Sequence, residues 1–253
     1  MRLGEPIADR TAPLARRNPV AKLAAAFAIA FGLLVTLDPV APAVALVVEI
    51  AVVPLFGVRF GALARRAWPL LFSMVSVALV QLLFGTGDTT AERITAAAAL
   101  ALRVLAVALP GVLVMATVDA TDLADALIQQ LRVPARFAIG ALAAFRLLPL
   151  LAADWQMLTM ARRARGVSAG RSPTARVRLF ASTTFGLLVG AIRRATRLAT
   201  AMEARGFDAG VPRTSARRQR FTWADGALAA GGVAVAGVAV AASVALGMFR
   251  TLL

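Results

Sequence analysis

Two tripeptides carry the residues whose chemistry is most suited to binding: Ala164-Arg165-Gly166 and Ala204-Arg205-Gly206. Each closes a segment rich in Ala, Met and Arg, which form helices well, and Gly directly after a helical run is the usual C-terminal stop. We therefore predict that each tripeptide ends a helix and presents its guanidinium at the end that favours a cation. A planar guanidinium suits a carboxylate on another protein, and the small Ala beside it lets that partner approach closely.

Ordinary helix termination explains one such ending, because Arg before a C-terminal Gly is common. Two endings with the same residues, Arg165 and Arg205 being 40 positions apart in one basic segment, favour a shared binding role. The apolar stripe ahead of the second ending fits helix packing as well as it fits docking of a partner. These residues are Ile192, Ala195, Ala199 and Met202.

Composition places the chain among membrane proteins. It has 253 residues, 60% of them hydrophobic, and contains no His, Cys or Tyr. That apolar fraction is typical of a polytopic membrane protein. The absence of His and Cys excludes the common zinc sites, thiol nucleophiles and Ser-His triads, and only 13 acidic residues are present. We therefore expect a protein that is not an enzyme, with no catalytic, cofactor-binding or metal-binding residues.

The positive charge is concentrated in one third of the chain. Between Arg132 and Arg220 there are 17 Arg and three acidic residues, an excess of 14 in a chain whose total is +15. Such a block could meet nucleic acid, anionic lipid or an acidic protein surface. No stacking aromatics interleave these Arg residues, so nucleic acid is the weakest of the three hypotheses.

The order of apolar runs predicts an all-α polytopic membrane protein with about five transmembrane helices. Residues 1–118 form a membrane domain of about four spans, residues 119–222 a cytoplasmic helical coupling region containing both Ala-Arg-Gly endings, and residues 223–253 a last transmembrane helix. The expected spans of the first domain are 20–37, 43–58, 68–84 and 94–118. Asp38–Pro42 is expected to be a turn and Arg59–Arg66 a basic loop.

Basic residues fall on alternate sides of these spans. The N-terminus, the loop 59–66 and the region after residue 118 are basic, whereas the turns near Asp38 and Gly85 are not. By the positive-inside rule, the N-terminus and the coupling region lie in the cytoplasm and the protein lies in the plasma membrane.

Three charged residues interrupt the apolar runs. Arg146 lies within the run 137–155, so we interpret that run as a helix packed on protein or lying at the interface, and its entry into the membrane stays open. Glu49 and Arg103 lie within expected spans, where they could pair with each other.

Several further stretches of the sequence are similar to the motifs of a known protein family. They are Asn18-Pro-Val-Ala-Lys22-Leu, Asp122-Leu-Ala-Asp-Ala-Leu127, Leu131-Arg-Val-Pro-Ala-Arg-Phe137, Phe145-Arg-Leu-Leu-Pro-Leu-Leu151 and the two Ala-Arg-Gly endings. Together they resemble the transmembrane T component of energy-coupling factor (ECF) transporters, the ABC-system branch that imports vitamins and metals and includes the cobalt-transporter type. The second ending is the most specific piece. The chain departs from the family's Asp-Pro-Arg-Thr-Lys-Leu opening at Asn18 and at Val20-Ala21.

The resemblance implies a function and partners. In that family the two signature Arg residues end long cytoplasmic helices and insert into grooves of two ABC-type ATPases. It therefore implies that Ala164, Arg165, Gly166, Ala204, Arg205 and Gly206 dock the ATPases. It also implies that the protein holds a separate, membrane-embedded S component, which binds the vitamin or transition-metal ion and chooses the solute. ATP would be hydrolysed in the partners, and this chain would need no cofactor.

A stand-alone secondary carrier or a lipid-active membrane protein is the alternative. It requires a polar site within the spans, for which only Glu49 and Arg103 are candidates, and neither forms a motif with its neighbours.

Overall fold

The described structure is built from helices. The computed structural model describes residues 9, 11–36, 38–85, 89–167, 170, 172–207 and 214–248. The helices are α1 (Pro19–Leu34), α2 (Val40–Val52), a 3-10 helix (Val53–Phe56), α3 (Phe60–Phe84), α4 (Thr90–Thr117), α5 (Ala120–Gln130), α6 (Ala135–Ala164), α7 (Pro173–Ala204) and α8 (Trp223–Ala245). The all-α prediction is confirmed.

These helices form two compact units. Helices α1–α5 and α8 make one unit, which we call the core unit, and α6 and α7 make the other, the hairpin unit. The expected boundaries at residues 118 and 222 do not coincide with this division, because α5 packs against α1 within the core unit. The membrane and cytoplasmic assignments of the three segments stay predictions.

Local sequence signals start the helices. The Asn18 side chain accepts a hydrogen bond from the backbone N–H of Val20 (2.9 Å) ahead of α1, and Pro19 occupies a first-turn position that needs no N–H donor. Asp119 caps α5 by accepting from the N–H of Thr121 at 2.7 Å, as its position before an apolar-periodic run predicts.

Helices α1 and α8 pack in parallel at short distance. At their starts, the backbone N–H of Asn18 donates to a carboxylate oxygen of Asp225 at 2.9 Å. Further along, the neighbours follow the same order in both helices, Ala25 against Gly232 and Gly32 against Ala236. Since small residues line this contact, the two backbones approach closely, as in tightly packed membrane helices.

Two apolar clusters define the ends of the core unit. We call the end that contains the starts of α1 and α8 the inner end, and the opposite one the outer end. One cluster joins the 3-10 helix, the start of α3 and the end of α4, through Val53, Phe56, Val58, Leu63, Leu109, Leu113 and Ala116. The other joins α1, α2, α4 and α8, through Ile29, Leu33, Ala41, Ala45, Ala106 and Ala239. Because Lys22 of α1 also donates to the carbonyl of Thr117, the starts of α1, α3 and α8 and the end of α4 share the inner end. The described N-terminal residues Arg16 and Arg17 and the start of the segment 59–66 lie at this end as well.

The described chain holds five helices long and apolar enough to cross a membrane, which agrees with the expected number. They are α3 from Ala67, α4, α6, α7 and α8. These five helices are not the ones that we expected to span the membrane. Helices α1 and α2, with 16 and 13 residues, are shorter apolar helices, whereas α6 and α7 lie in the expected coupling region.

Two expected connections are shorter than predicted. The loop 59–66 is almost entirely the start of α3, because Ala, Leu and Arg continue a helix once Gly57 has ended the preceding 3-10 turn with φ +67°. The turn Asp38–Pro42 is helical from Val40, since a helix tolerates Pro42 in its first turn.

Candidate docking site

The first Ala-Arg-Gly ending forms a Schellman motif. Helix α6 ends at Ala164, and Gly166 adopts the left-handed conformation with φ +74°. The N–H of Gly166 donates to the carbonyl of Arg163 at 3.0 Å, and the N–H of Val167 donates to the carbonyl of Arg162 at 2.9 Å. These two bonds satisfy carbonyls that the helix end would otherwise leave free. The predicted glycine cap is confirmed.

The second ending repeats this geometry. Helix α7 ends at Ala204, and Gly206 has φ +73°. The N–H of Gly206 donates to the carbonyl of Glu203 at 2.8 Å, and that of Phe207 to the carbonyl of Met202 at 3.0 Å. Arg205 occupies the C-cap position, as Arg165 does in the first motif. The two tripeptides are therefore alike in conformation as well as in sequence.

Both endings are accessible. All six residues of the two tripeptides are exposed, and a Cβ added at Gly166 would meet no atom within 4 Å. Within the described residues, neither the Arg165 nor the Arg205 guanidinium makes a hydrogen bond or ion pair. Each therefore keeps its full set of donors for a ligand outside the chain.

The two helices are tied to each other by charged and aromatic contacts. Arg162 reaches from the last turn of α6 to α7, where its guanidinium donates to the hydroxyls of Ser182 and Thr183, the latter at 2.8 Å. It also donates to the carbonyls of Leu179 and Ser182, at 3.3 and 3.1 Å. Arg162 is held in this way, whereas Arg163 and Arg165 remain exposed at the end of α6.

Earlier residues of α6 meet α7 as well. Asp154 forms an ion pair with Arg194, and the ring of Trp155 lies 5.4 Å from that of Phe180. Since the end of α6 contacts the start of α7, and Asp154 contacts a later residue, the helices run antiparallel as a hairpin. The sequence interpretation missed these contacts. Two sequence features could have indicated them: Asp154, an acidic residue within an apolar run, and three consecutive hydroxyl residues at 182–184.

The hairpin separates the two arginines. Arg165 follows α6, only eight residues before α7 begins at Pro173, whereas Arg205 follows the far end of that helix. A helix of 32 residues is about 48 Å long, and eight residues of extended chain reach at most about 28 Å. The two Cα atoms are therefore at least roughly 20 Å apart.

The core unit does not pair Glu49 with Arg103, so that hypothesis is wrong. Glu49 is 5% exposed, and neither of its oxygens has a hydrogen-bond partner among the described residues. The carboxylate that acts electrostatically on Arg103 is Asp38, at the outer end. Asp38 in turn accepts a hydrogen bond from the N–H of Ala41 at 2.8 Å.

Lys22 has a partner at the inner end. Its ammonium group donates to the backbone carbonyls of Ala15, at 2.8 Å, and Thr117, at 3.4 Å. Lys22 is 3% exposed, so these bonds compensate for its burial and join the N-terminal segment to the end of α4.

The described residues contain no group of three or more His, Cys, Asp or Glu side chains placed to hold a metal ion. The structure combines an apolar helical core unit with a basic hairpin unit that exposes two equivalent helix ends, which defines a multi-pass α-helical membrane protein.

The comparisons place this architecture in a family. The chain belongs to the CbiQ family, described as a cobalt transport protein, whose model matches residues 10–216.

Several bacterial relatives share the pattern. The chain is 31% identical to the energy-coupling factor transporter transmembrane protein EcfT of Exiguobacterium sibiricum over 175 residues, which is 62% of this chain and 66% of that protein. It is 31% identical to EcfT of Limosilactobacillus fermentum, over 61% of this chain and 64% of that protein. It is 39% identical to EcfT of Brevibacillus brevis, over 34% of this chain and 33% of that protein. In each case the aligned region spans less than two thirds of the relative.

Proposed function

We propose that the protein is the energy-coupling transmembrane subunit of an ECF-type importer. It links two cytoplasmic ABC-type ATPases to a membrane-embedded S component that binds a vitamin or a transition-metal ion. The observation that carries this proposal is the pair of exposed Arg-Gly helix ends, Arg165 and Arg205, in a chain of the CbiQ family. The relatives that support it bear the name of energy-coupling factor transporter transmembrane proteins.

Each helix end is suited to an acidic groove. Arg165 and Arg205 can each donate a bidentate pair of hydrogen bonds to a carboxylate, while Ala164 and Ala204 leave room for the groove wall. The left-handed Gly166 and Gly206 turn the chain away immediately after the Arg, so that the helix end is free to enter the groove. Catalysis is not required of this chain, because ATP is hydrolysed by the partners.

The separation of the two arginines supports two ATPases rather than one. Since the Cα atoms lie at least roughly 20 Å apart by helix and chain lengths, each guanidinium needs its own groove. We place the N-terminal segment and the coupling region on the cytoplasmic face of the plasma membrane, because both are basic.

The test is to reverse one charge at a time. Arg165→Glu and Arg205→Glu should each weaken association with one ATPase at least about tenfold, because a charge-assisted pair becomes a repulsion. Each single variant should co-purify with one ATPase copy instead of two, and the double variant with neither. The effects should be additive, since the sites are far apart.

Arg193→Glu is the matched control. Arg193 is exposed on α7, ten residues beyond Thr183, which Arg162 contacts, and twelve residues before Arg205, so the variant makes the same change in charge without altering a docking residue. Full ATPase stoichiometry with the double variant, or equal loss with Arg193→Glu, would show that the two helix ends do not dock the ATPases.

A further inference from the structure

The core unit contains one acidic residue that the docking proposal does not use. Glu49 lies in the last turn of α2 and is 5% exposed. Neither carboxylate oxygen has a hydrogen-bond partner among the described residues. A buried charge without a partner costs several kcal/mol or more, so natural proteins pair such a group, give it a ligand or keep it in its neutral form.

An apolar cavity lies beside Glu49. Its volume is about 260 Å³, and its wall comes from α1, α2, α4 and α8, with Leu14 of the N-terminal segment on one side. Aliphatic side chains make up most of the wall, among them Ile29, Val52, Leu113, Val114, Leu228 and Val235. A dry cavity of about 150 Å³ already accommodates benzene. This cavity is therefore large enough for a substituted ring or a short alkyl chain.

The two charged residues of the described wall do not pair with each other. The only other charged residue in the described wall is Lys22, whose ammonium group is occupied by the carbonyls of Ala15 and Thr117. Arg103 does not line the cavity, and the carboxylate that acts on it is Asp38. The cavity thus offers an unpaired acidic group at its edge and a hydrophobic interior.

We propose that this cavity binds a small lipophilic ammonium compound. Its nitrogen would donate to the Glu49 carboxylate, and its apolar body would fill the space between α1, α2, α4 and α8. The carboxylate is carried on rotatable bonds, so it can turn towards a nitrogen in the cavity without movement of the backbone. This site lies in the core unit, whereas both docking helix ends lie in the hairpin unit, so the two proposals can fail separately.

The test uses para-fluorobenzylammonium as the probe and fluorine NMR of the purified chain in detergent as the readout. Binding should saturate at one site per chain. Glu49→Gln, which keeps the shape but removes the charge, should weaken binding at least about tenfold. The neutral analogue para-fluorobenzyl alcohol should bind more weakly and with the same affinity in both proteins.

Two further variants make the outcome unambiguous. Glu92→Gln removes an exposed carboxyl group at the start of α4, outside the cavity, and should leave binding unchanged. Gly231 lines the cavity, and a Cβ there meets no atom within 4 Å, so Gly231→Leu should fill the space and weaken binding at least about tenfold while Glu49 remains. If Glu49→Gln does not fold, the binding measured with Gly231→Leu still tests whether the probe occupies this cavity.

Three results would overturn the proposal. The first is an absence of saturable binding, and the second is equal binding of the ammonium probe to the original chain and Glu49→Gln, which would indicate partitioning into detergent. The third is equal affinity for the alcohol and the ammonium compound, which would make the cavity a purely apolar pocket.

Discussion

The close contact between α1 and α8 gives a prediction whose size can be worked out from the structure. A Cβ added at Gly232 would lie 2.5 Å from the Cα and 2.7 Å from the carbonyl oxygen of Ala25, where ordinary contacts begin at 3.4 Å. Both atoms belong to the backbone, so no side-chain rotation relieves the clash. The helices would have to separate locally by about 1 Å, which opens space in a close-packed interface.

Gly232→Ala should therefore destabilise the core unit. Alanine gains about 1 kcal/mol of helix propensity over glycine, but overpacking against backbone costs about 3 kcal/mol, at the upper end of its usual range. The net loss is about 2 kcal/mol, which lowers the Tm by about 4–8 °C in a chain of this size. Thermal unfolding in detergent, followed by circular dichroism, measures the shift.

The neighbouring residue is the control. A Cβ at Gly231 meets nothing within 4 Å, so Gly231→Ala should leave the Tm unchanged or raise it by up to about 4 °C through helix propensity alone. If Gly232→Ala unfolds at the same temperature as Gly231→Ala, or higher, the close packing of α1 on α8 is not as described.

Three further substitutions test the helix ends and the contacts between helices. Gly166→Val should weaken ATPase co-purification more than Gly166→Ala, because the left-handed conformation costs an L-residue about 1–2 kcal/mol and more with β-branching; equal retention would refute the role of the cap. Arg162→Ala should raise amide hydrogen exchange in α6 and α7 while Arg163→Ala does not, and equal exchange in both variants would contradict the clamp. Asp225→Ala should destabilise the core unit by about 3 kcal/mol, because the backbone N–H groups of Asn18 and Thr222 lose their acceptor, and Asp225→Asn by less; an unchanged Tm would disprove it.

The sequence was sufficient where the determinants are local. Gly166 and Gly206 are left-handed caps, Asp119 starts α5, and no helix crosses Pro134, each of which follows from residues within one helical turn. The basic helix ends could be identified as a candidate site for the same reason, because Arg before a capping Gly needs no tertiary contact to be exposed.

Contacts between distant residues could not be predicted. Asn18 and Asp225 are 207 positions apart, and nothing in either local sequence indicates that the N–H of one meets the carboxylate of the other. The pairing of Glu49 with Arg103 was wrong, because opposite charges in two apolar runs do not fix the depth of either residue. The carboxylate that acts electrostatically on Arg103 is that of Asp38. In the sequence, Arg162 and Arg163 are equivalent neighbours. The contacts of Arg162 with α7, which distinguish the two, are tertiary and could not be read from local sequence.

The parallel packing of α1 and α8 constrains what the hairpin can do in a membrane. Both helices start at the inner end, and α4 also ends there, since Lys22 contacts the carbonyl of Thr117. The chain therefore leaves the core unit before α6 and returns before α8 on the same side. Helices α6 and α7 must then either both cross the bilayer or both stay out of it, and a single crossing is excluded. Arg146 lies near the middle of α6, so a bilayer crossing by that helix would cost about 3 kcal/mol. Within the core unit, α8 runs from the inner end to the outer end, so its last residue, Ala245, lies at the end opposite to Asn18.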